Sequence, residues 1–208
     1  SQYFSIKPTD FHALTPKMVV KEGDKVKAGS CLFFDKYNEL IRFSSPVSGE
    51  VTEIVRGAKR RIIEVKIAAD SEINYESFSL EANASRDQVI RGLLKSGVWP
   101  FIRQKPFDTI ANPSDNPKAI VISTFDTAPL APDNDFILHG LDDEFQLGIE
   151  VIKKLTDGKV HLNVDGNTNP SKVFTKCKGV QINKISGPHP AGNVGVQIHH
   201  IDPINKGD

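Results

Sequence analysis

The stretch VKEGDKVKAGSCLFFDK, residues 20–36, begins a pattern of short strands and turns that continues to residue 69. Its glycines and charged residues mark turns, and the run CLFF at 31–34 has the apolar character of a buried strand. Further short strands follow SSPVSGEV (44–51), which supplies another turn. The pattern predicts a small β-sandwich or barrel. Residues 1–16, with breakers at Pro8 and Pro16, are expected to be irregular.

Residues 20–36, taken with SSPVSGEV, resemble the lipoyl/biotinyl-type barrel-sandwich hybrid. In that family a lysine at a hairpin tip carries the swinging cofactor, and Lys36 falls near this place. The connection from Lys36 to Pro46 is longer than the tight hairpin of the family, and residues 37–39 depart from its pattern. The resemblance therefore implies the fold. A lipoyl- or biotin-type carrier modified at Lys36 is the alternative to an exposed loop lysine.

A helix is predicted over about 86–96. Ser85 and Gln88 form a capping-box pattern, apolar residues then recur at helical spacing, and Gly97 fits the C-cap. This helix leads directly into SGVWPFIRQKPF, residues 96–107.

An α/β unit is predicted downstream. The β-branched run at 119–123 is typical of a central parallel strand covered on both faces, and further strands are expected at 160–164 and 180–185. Helical spacing predicts a helix within 135–156. The turn after the first strand has neither G-x-G-x-x-G nor a P-loop, so the usual mode of dinucleotide binding is not expected.

The segment GPHPAGNVGVQIHHIDP (187–203) predicts a shaped loop that feeds a strand, because apolar residues alternate over 194–198. Its three histidines suggest a metal site. However, His199 and His200 would point to opposite faces of a strand, and neither cysteines nor carboxylates stand at ligand spacing. We therefore predict no metal site, and histidines that anchor a loop.

Composition excludes several function classes. The 208 residues carry no formal net charge, so nothing in the charge favours nucleic acid or an anionic partner. No apolar run is long enough to cross a bilayer, and no signal peptide is visible. Cys31 and Cys177 have no C-x-x-C, which predicts free thiols in a cytosolic chain and excludes an iron–sulfur cluster. No triad or carboxylate pair is legible, so no catalytic residue is assigned.

The chain as a whole resembles the NqrA-type component of the bacterial sodium-translocating NADH:quinone oxidoreductases. The resemblance is carried by KMVVKEGDKVKAGSCLFFD (17–35), FSSPVSGEV (43–51), residues 56–61, SGVWPFIRQKPF (96–107), AIVISTFDTAPLAPD (119–133) and above all GPHPAGNVGVQIHHIDP. Members of that family are longer at both ends, which implies that this chain is a fragment without the first residues and a C-terminal portion.

The resemblance implies a relative, by fold, of the flavin- and NADH-binding subunit of complex I and of the RnfC-type proteins. In those relatives a glycine-rich loop after the helix holds the flavin phosphate. Here residues 98–103 (VWPFIR) replace it with bulky side chains, which implies a lost flavin site. NADH oxidation, flavins and the iron–sulfur centre then belong to partner subunits. This chain would be peripheral on the cytoplasmic side, attached to membrane subunits.

The resemblance leaves two classes of function open: a structural component that docks on its partners, and a component that lines a quinone site. A quinone needs an apolar slot and hydrogen-bond donors. Trp99, Phe101, Phe107 and His189 are suitable residue types, although such aromatics are more often ordinary core residues. The alternatives are a modified carrier and an RnfC-type protein. The predicted architecture is a barrel-sandwich hybrid domain at 1–70 and a Rossmann-like α/β domain without its flavin loop at 71–208.

Overall fold

The computed structural model of the chain describes residues 2–207. Its contacts fall into two units, Ser1–Pro113 and Ser114–Asp208. The helix predicted at 86–96 therefore belongs with the β-rich part of the chain by its contacts. The domain boundary between residues 70 and 71 stays a prediction, because grouping by contacts does not test which segments fold independently.

The first unit is built on two antiparallel sheets. One has the order β1-β7-β6-β3 and the other β2-β4-β5, and a short ribbon pairs β8 with β9. Their fully buried apolar side chains form a common core, as expected for a barrel-sandwich hybrid: Leu32, Phe33, Val51, Val65 and Ile67. The strands are β1 (Tyr3–Ile6), β2 (Pro16–Met18), β3 (Lys25–Val26), β4 (Cys31–Asp35), β5 (Asn38–Ser44), β6 (Gly49–Arg56), β7 (Ile62–Ala69), β8 (Arg103–Gln104) and β9 (Thr109–Ile110).

Two expectations for this unit are wrong. Residues 3–6 are not irregular, because β1 pairs antiparallel with β7 and satisfies the backbone groups of that edge. The connection after β4 is also not long. Asp35 pairs with Asn38 across a two-residue turn at 36–37, and the Asp35 carboxylate accepts the amide of Tyr37 at 3.2 Å. Lys36 therefore lies at the tip of a tight hairpin.

The predicted helix is confirmed as α1 (Arg86–Ser96). The Ser85 hydroxyl accepts the amide of Gln88, and the Gln88 side chain accepts the amide of Ser85, which completes the capping box. The helix ends at Gly97, which is left-handed at φ 76°. Its buried face packs on β5: Val89, Ile90 and Leu94.

The second unit contains a parallel sheet in the order β10-β11-β12, formed by Ala119–Ser123, Lys159–Asp165 and Gln181–Ile185. All three predicted strands and their parallel arrangement are confirmed. The central strand is β11, not the run at 119–123, which lies at an edge and is only half-buried. One face of the sheet packs on a core made by Leu162, Val164, Val173 and Phe174.

Four helices complete this unit: α2 (Asn134–Ile137), α3 (Asp142–Lys153), α4 (Lys172–Thr175) and α5 (Val194–Ile201). The single helix expected within 135–156 is therefore wrong. The chain breaks at Gly140, whose φ of 78° cannot continue a helix. No helix within residues 2–207 is both long and apolar enough to cross a membrane.

The strand predicted at 194–198 is also wrong, since α5 occupies this place. Asn193 caps the helix by accepting the amide of Gly195 at 2.9 Å. Val194, Ile198 and Ile201 recur at intervals of four and three, so the helical period was present beneath the alternation. His199 and His200 consequently lie on adjacent helical positions, with ring centroids 5.4 Å apart, and not on opposite faces of a strand.

Candidate functional site

The first unit contains a cavity of about 800 Å³. Its walls come from the segment after β1, the end of β5, the end of α1 and the segment that leads to β8. Two local features of the sequence shape it. Gly97 ends α1, and a 3-10 helix at Trp99–Phe101 then turns the chain along the cavity. A cavity of this volume is of the size that holds small-molecule ligands and cofactors.

Phenylalanine rings form the apolar part of the wall. Phe11 meets Phe43 edge-to-face with ring centroids 4.7 Å apart, and meets Phe101 edge-to-face at 6.0 Å. Phe43 lies in the core, where it stacks on Phe33, whereas the Phe101 side chain is 70% exposed. The aromatic surface therefore runs from the core to solvent, which allows a planar apolar group to reach it.

Arg103 supplies a cationic group to the wall. Its guanidinium donates to the backbone carbonyl of Asp108 and lies 3.6 Å from the carboxylate of the same residue. Its Nε–H is buried and has no acceptor among residues 2–207. A buried donor without a partner costs about 1–3 kcal/mol. This N–H is therefore a donor available to a ligand oxygen.

The charge of Asp108 keeps this part of the wall in place. Lys105 Nζ donates to the Asp108 carboxylate at 2.7 Å. That hydrogen bond, helped by the charges of Lys105 and Arg103, holds the pKa of the Asp108 carboxyl below its usual range. Asp108 is therefore ionised at neutral pH and stays paired with Arg103.

The four residues predicted for a quinone site are not brought together. Phe101 lines the cavity, and Trp99 lies behind it, 4% exposed, where its Nε1 donates to the Ala111 carbonyl at 2.7 Å. Phe107 is 81% exposed and is not part of the wall, while His189 belongs to the second unit. The core interpretation thus holds for Trp99 but not for Phe101 or Phe107. The assignment of these residues to quinone stays a prediction.

Sequence reasoning missed Phe11, Phe43 and Arg103. Arg103 stands inside the quoted motif SGVWPFIRQKPF, so its position two residues after Phe101 was a usable signal. Phe11 carried no such signal, because it lies in a segment without periodicity. It reaches the wall only through its contact with Phe43 on β5.

His189 anchors the GPHPAG loop in the second unit. Thr127 Oγ1 accepts the amide of Gly192 at 3.0 Å and lies 3.0 Å from His189 Nδ1. A Cβ on Gly192 would lie 2.2 Å from the Thr127 nitrogen, so only glycine permits this approach. The loop therefore packs onto the segment that leaves the carboxyl end of β10, the edge at which open α/β sheets usually bind ligands.

Buried amides form a polar layer between the sheet of the second unit and α5. Asn163 Nδ2 donates to Gln197 Oε1 at 2.8 Å, and Asn183 Nδ2 donates to Asn163 Oδ1 at 2.8 Å. Gln197 Nε2 donates in turn to Ser123 Oγ at 3.1 Å. Because these amides satisfy each other, the layer fixes α5 on the sheet and offers no group to a ligand.

The remaining reactive side chains form no site. Among residues 2–207, no group of three His, Cys, Asp or Glu is placed to hold a metal ion. Cys31 and Cys177 are free, as predicted, and burial raises the pKa of both thiols. Both thiols are therefore protonated and poorly nucleophilic at neutral pH.

Comparison with known proteins gives one consistent result. A family model described as the NqrA N-terminal barrel-sandwich hybrid domain matches residues 1–70, and one described as the NqrA second alpha/beta domain matches residues 84–208. Similar curated proteins carry the name of the same component, the A-type one, of Na(+)-translocating NADH-quinone reductase. Those from Yersinia pestis and Neisseria meningitidis serogroup B are 38% identical over 202 and 200 residues, and the one from Photorhabdus laumondii is 36% identical over 200.

These alignments cover 94–95% of this chain and 44% of each relative, so the chain spans less than half the length of the proteins it matches. The two family models together cover both units and agree with the observed strands and helices. The chain therefore belongs to the NqrA family, as a barrel-sandwich hybrid domain followed by that family's second α/β domain.

Proposed function

We propose that the chain is part of the NqrA component of a Na⁺-translocating NADH-quinone reductase. It would be peripheral on the cytoplasmic side of a bacterial membrane and attached to the other subunits, membrane subunits included. The names of its relatives and the match over both units support this role. The alternative of an RnfC-type protein is not pursued, because both matching models are described as NqrA domains.

We further propose that the chain holds no flavin of its own and contributes no catalytic residue. NADH oxidation, the flavins and an iron–sulfur centre would then belong to partner subunits. The packing after α1 supports this. Trp99 and Pro100 are buried directly behind the C-cap Gly97, where the resemblance implies a glycine-rich loop in flavin-binding relatives. Bulky side chains and a proline remove the close backbone donors that a phosphate needs.

Within this role, the cavity of the first unit is our candidate quinone site. The observation that carries the proposal is the buried Arg103 Nε–H without an acceptor among residues 2–207, on a wall that also includes Phe11, Phe43 and Phe101. A quinone ring is flat and apolar and carries two carbonyl acceptors, so it matches an aromatic surface beside one free donor. Phe107 and His189 have no part in this cavity.

Titration with a short-chain quinone tests the proposal, with fluorescence of Trp99, the single tryptophan, as the readout. We expect saturable binding. Phe101→Ala removes the exposed ring of the wall and should weaken binding about ten-fold, a loss of about 1.4 kcal/mol. Arg103→Lys keeps the charge but removes the Nε–H, and should weaken binding by a similar factor.

Phe107→Ala is the matched control, since it removes an equally exposed ring four residues beyond Arg103 and outside the cavity. It should leave the Kd unchanged. Equal losses in Phe101→Ala and Phe107→Ala would contradict the cavity assignment. No quinone binding at all would favour a docking role alone. Binding of FMN or NADH in parallel titrations would overturn the lost-flavin proposal.

A carrier modified at Lys36 is the second candidate, and one observation favours it. Lys36 is exposed at the tip of the β4–β5 hairpin, which is the geometry that a swinging cofactor needs. The intact mass of the chain purified from its native cell tests this directly, because an unmodified mass removes the candidate.

A further inference from the structure

The hairpin between β6 and β7 ends in a cluster of exposed cations. Residues 56–61 read RGAKRR, and the side chains of Arg56, Lys59, Arg60 and Arg61 are all exposed. We name these four residues the basic tip. The whole chain has no formal net charge, so the tip is a local concentration of positive charge and not part of a generally basic surface.

The backbone presents these side chains in an unusual way. Lys59 and Arg60 are consecutive non-glycine residues in the left-handed region, with φ of 55° and 61°. L-residues adopt this conformation only at a free-energy cost. The turn is closed by backbone hydrogen bonds, with the Gly57 amide on the Arg61 carbonyl at 2.7 Å and the Arg60 amide on the Gly57 carbonyl at 3.1 Å. Such strain is often retained where a loop has a function.

The positive charge of the tip is not neutralised by neighbouring carboxylates. None of the four cations forms an ion pair within the part of the chain that the structure describes. Glu53, on β6, is already paired with Lys66 at 2.7 Å. The tip therefore presents full charges to an external partner.

The composition of the tip indicates the kind of partner. Protein–protein interfaces centre on buried aromatic or apolar anchors and are poor in lysine. Residues 56–61 contain no aromatic side chain and only Ala58 as an apolar one. Arginine and lysine at a convex tip instead match phosphate groups spread over a surface. We propose that the basic tip binds the phosphate groups of anionic phospholipids at a membrane surface, independently of whether quinone binds in the cavity.

Sedimentation of the chain with lipid vesicles at low ionic strength tests the proposal. We expect binding to vesicles with one-third phosphatidylglycerol and little to pure phosphatidylcholine. Each cation near an anionic surface contributes about five-fold to the partition coefficient, so a triple variant should lose roughly 100-fold. The variant is Lys59→Asn, Arg60→Asn and Arg61→Gln. Asparagine suits the left-handed positions, so this variant should fold, which its thermal unfolding checks.

The matched control is Lys172→Gln, Lys176→Gln and Lys178→Gln, which removes three exposed cations from the second unit. It should lose far less binding than the tip variant. Equal losses in the two variants, or equal binding to both kinds of vesicle, would refute a role for the tip. Displacement by inorganic phosphate at constant ionic strength would assign the tip to free phosphate. Displacement by polyglutamate would assign it to an acidic protein. Either result would overturn the lipid proposal.

Discussion

At the scale of single residues, His161 is the side chain whose chemistry depends most on burial. It lies on β11 and is 2% exposed. Asn183 Nδ2 donates to its Nδ1 at 3.2 Å, so the ring proton lies on Nε2, which is buried without a partner among residues 2–207. Burial lowers the pKa of His161, opposed by the charge of Asp202 and helped by that of Lys159. Nothing in the sequence distinguished this histidine from the others.

This lowered pKa predicts a pH dependence of stability. The unfolded chain protonates His161 near pH 6.5, and the folded protein does so only at lower pH. The contribution of His161 to the free energy of unfolding is therefore constant above about pH 6.5 and falls as the pH decreases below it, down to the folded pKa. Chemical denaturation between pH 5 and 8 measures this.

The variant His161→Asn keeps an acceptor for Asn183 but cannot titrate, so its stability should vary less with pH than that of the parent. His199→Asn is the control, because His199 is exposed on α5. It should retain the pH dependence of the parent. If His161→Asn retains it too, the buried histidine is not the group responsible.

At the scale of elements, the junction of α1 with the barrel depends on Gly97. Its φ of 76° ends the helix, and a Cβ at this position would lie 2.2 Å from Ser44 Oγ and 2.9 Å from Ser44 Cβ on β5. The Ser44 hydroxyl also donates to the Ser96 carbonyl at 3.2 Å. The glycine therefore serves both the helix end and the packing of α1 on β5.

We predict that Gly97→Ala lowers the free energy of unfolding by about 3 kcal/mol, from left-handed strain plus the clash with Ser44. Gly23→Ala is the matched control. Gly23 has φ of 89°, but a Cβ there meets nothing within 4 Å, so only the conformational cost of about 1 kcal/mol is expected. Urea unfolding of both variants measures the difference. Equal losses would show that contact with Ser44 does not matter.

At the scale of the whole molecule, the grouping of α1 with the barrel predicts where the chain can be divided. Val89, Ile90 and Leu94 of α1 are buried, and the helix contacts β5 of the first unit. A chain ending at residue 70 would lose this cover. We expect it to be less stable than a chain of residues 1–113 by about 3–5 kcal/mol, from the buried apolar surface.

Thermal unfolding of the two chains measures this difference. Equal midpoints would support the domain boundary predicted from the sequence between residues 70 and 71, with α1 as part of the following domain. A lower midpoint for residues 1–70 would place the first independent folding unit at Ser1–Pro113.

The sequence by itself determined those features that depend on neighbouring residues. The strands near 31–34 and 119–123, the helix α1 and both of its caps follow from local periodicity, turn residues and capping groups, and the quoted motifs were enough to identify the family. The tertiary structure alone decided that β11 is the central strand, that residues 194–201 form a helix on a polar layer, and that Phe11 meets Phe43 and Phe101 at one cavity. These features depend on contacts between residues that are distant in the chain, and local patterns carry no information about which distant side chains meet.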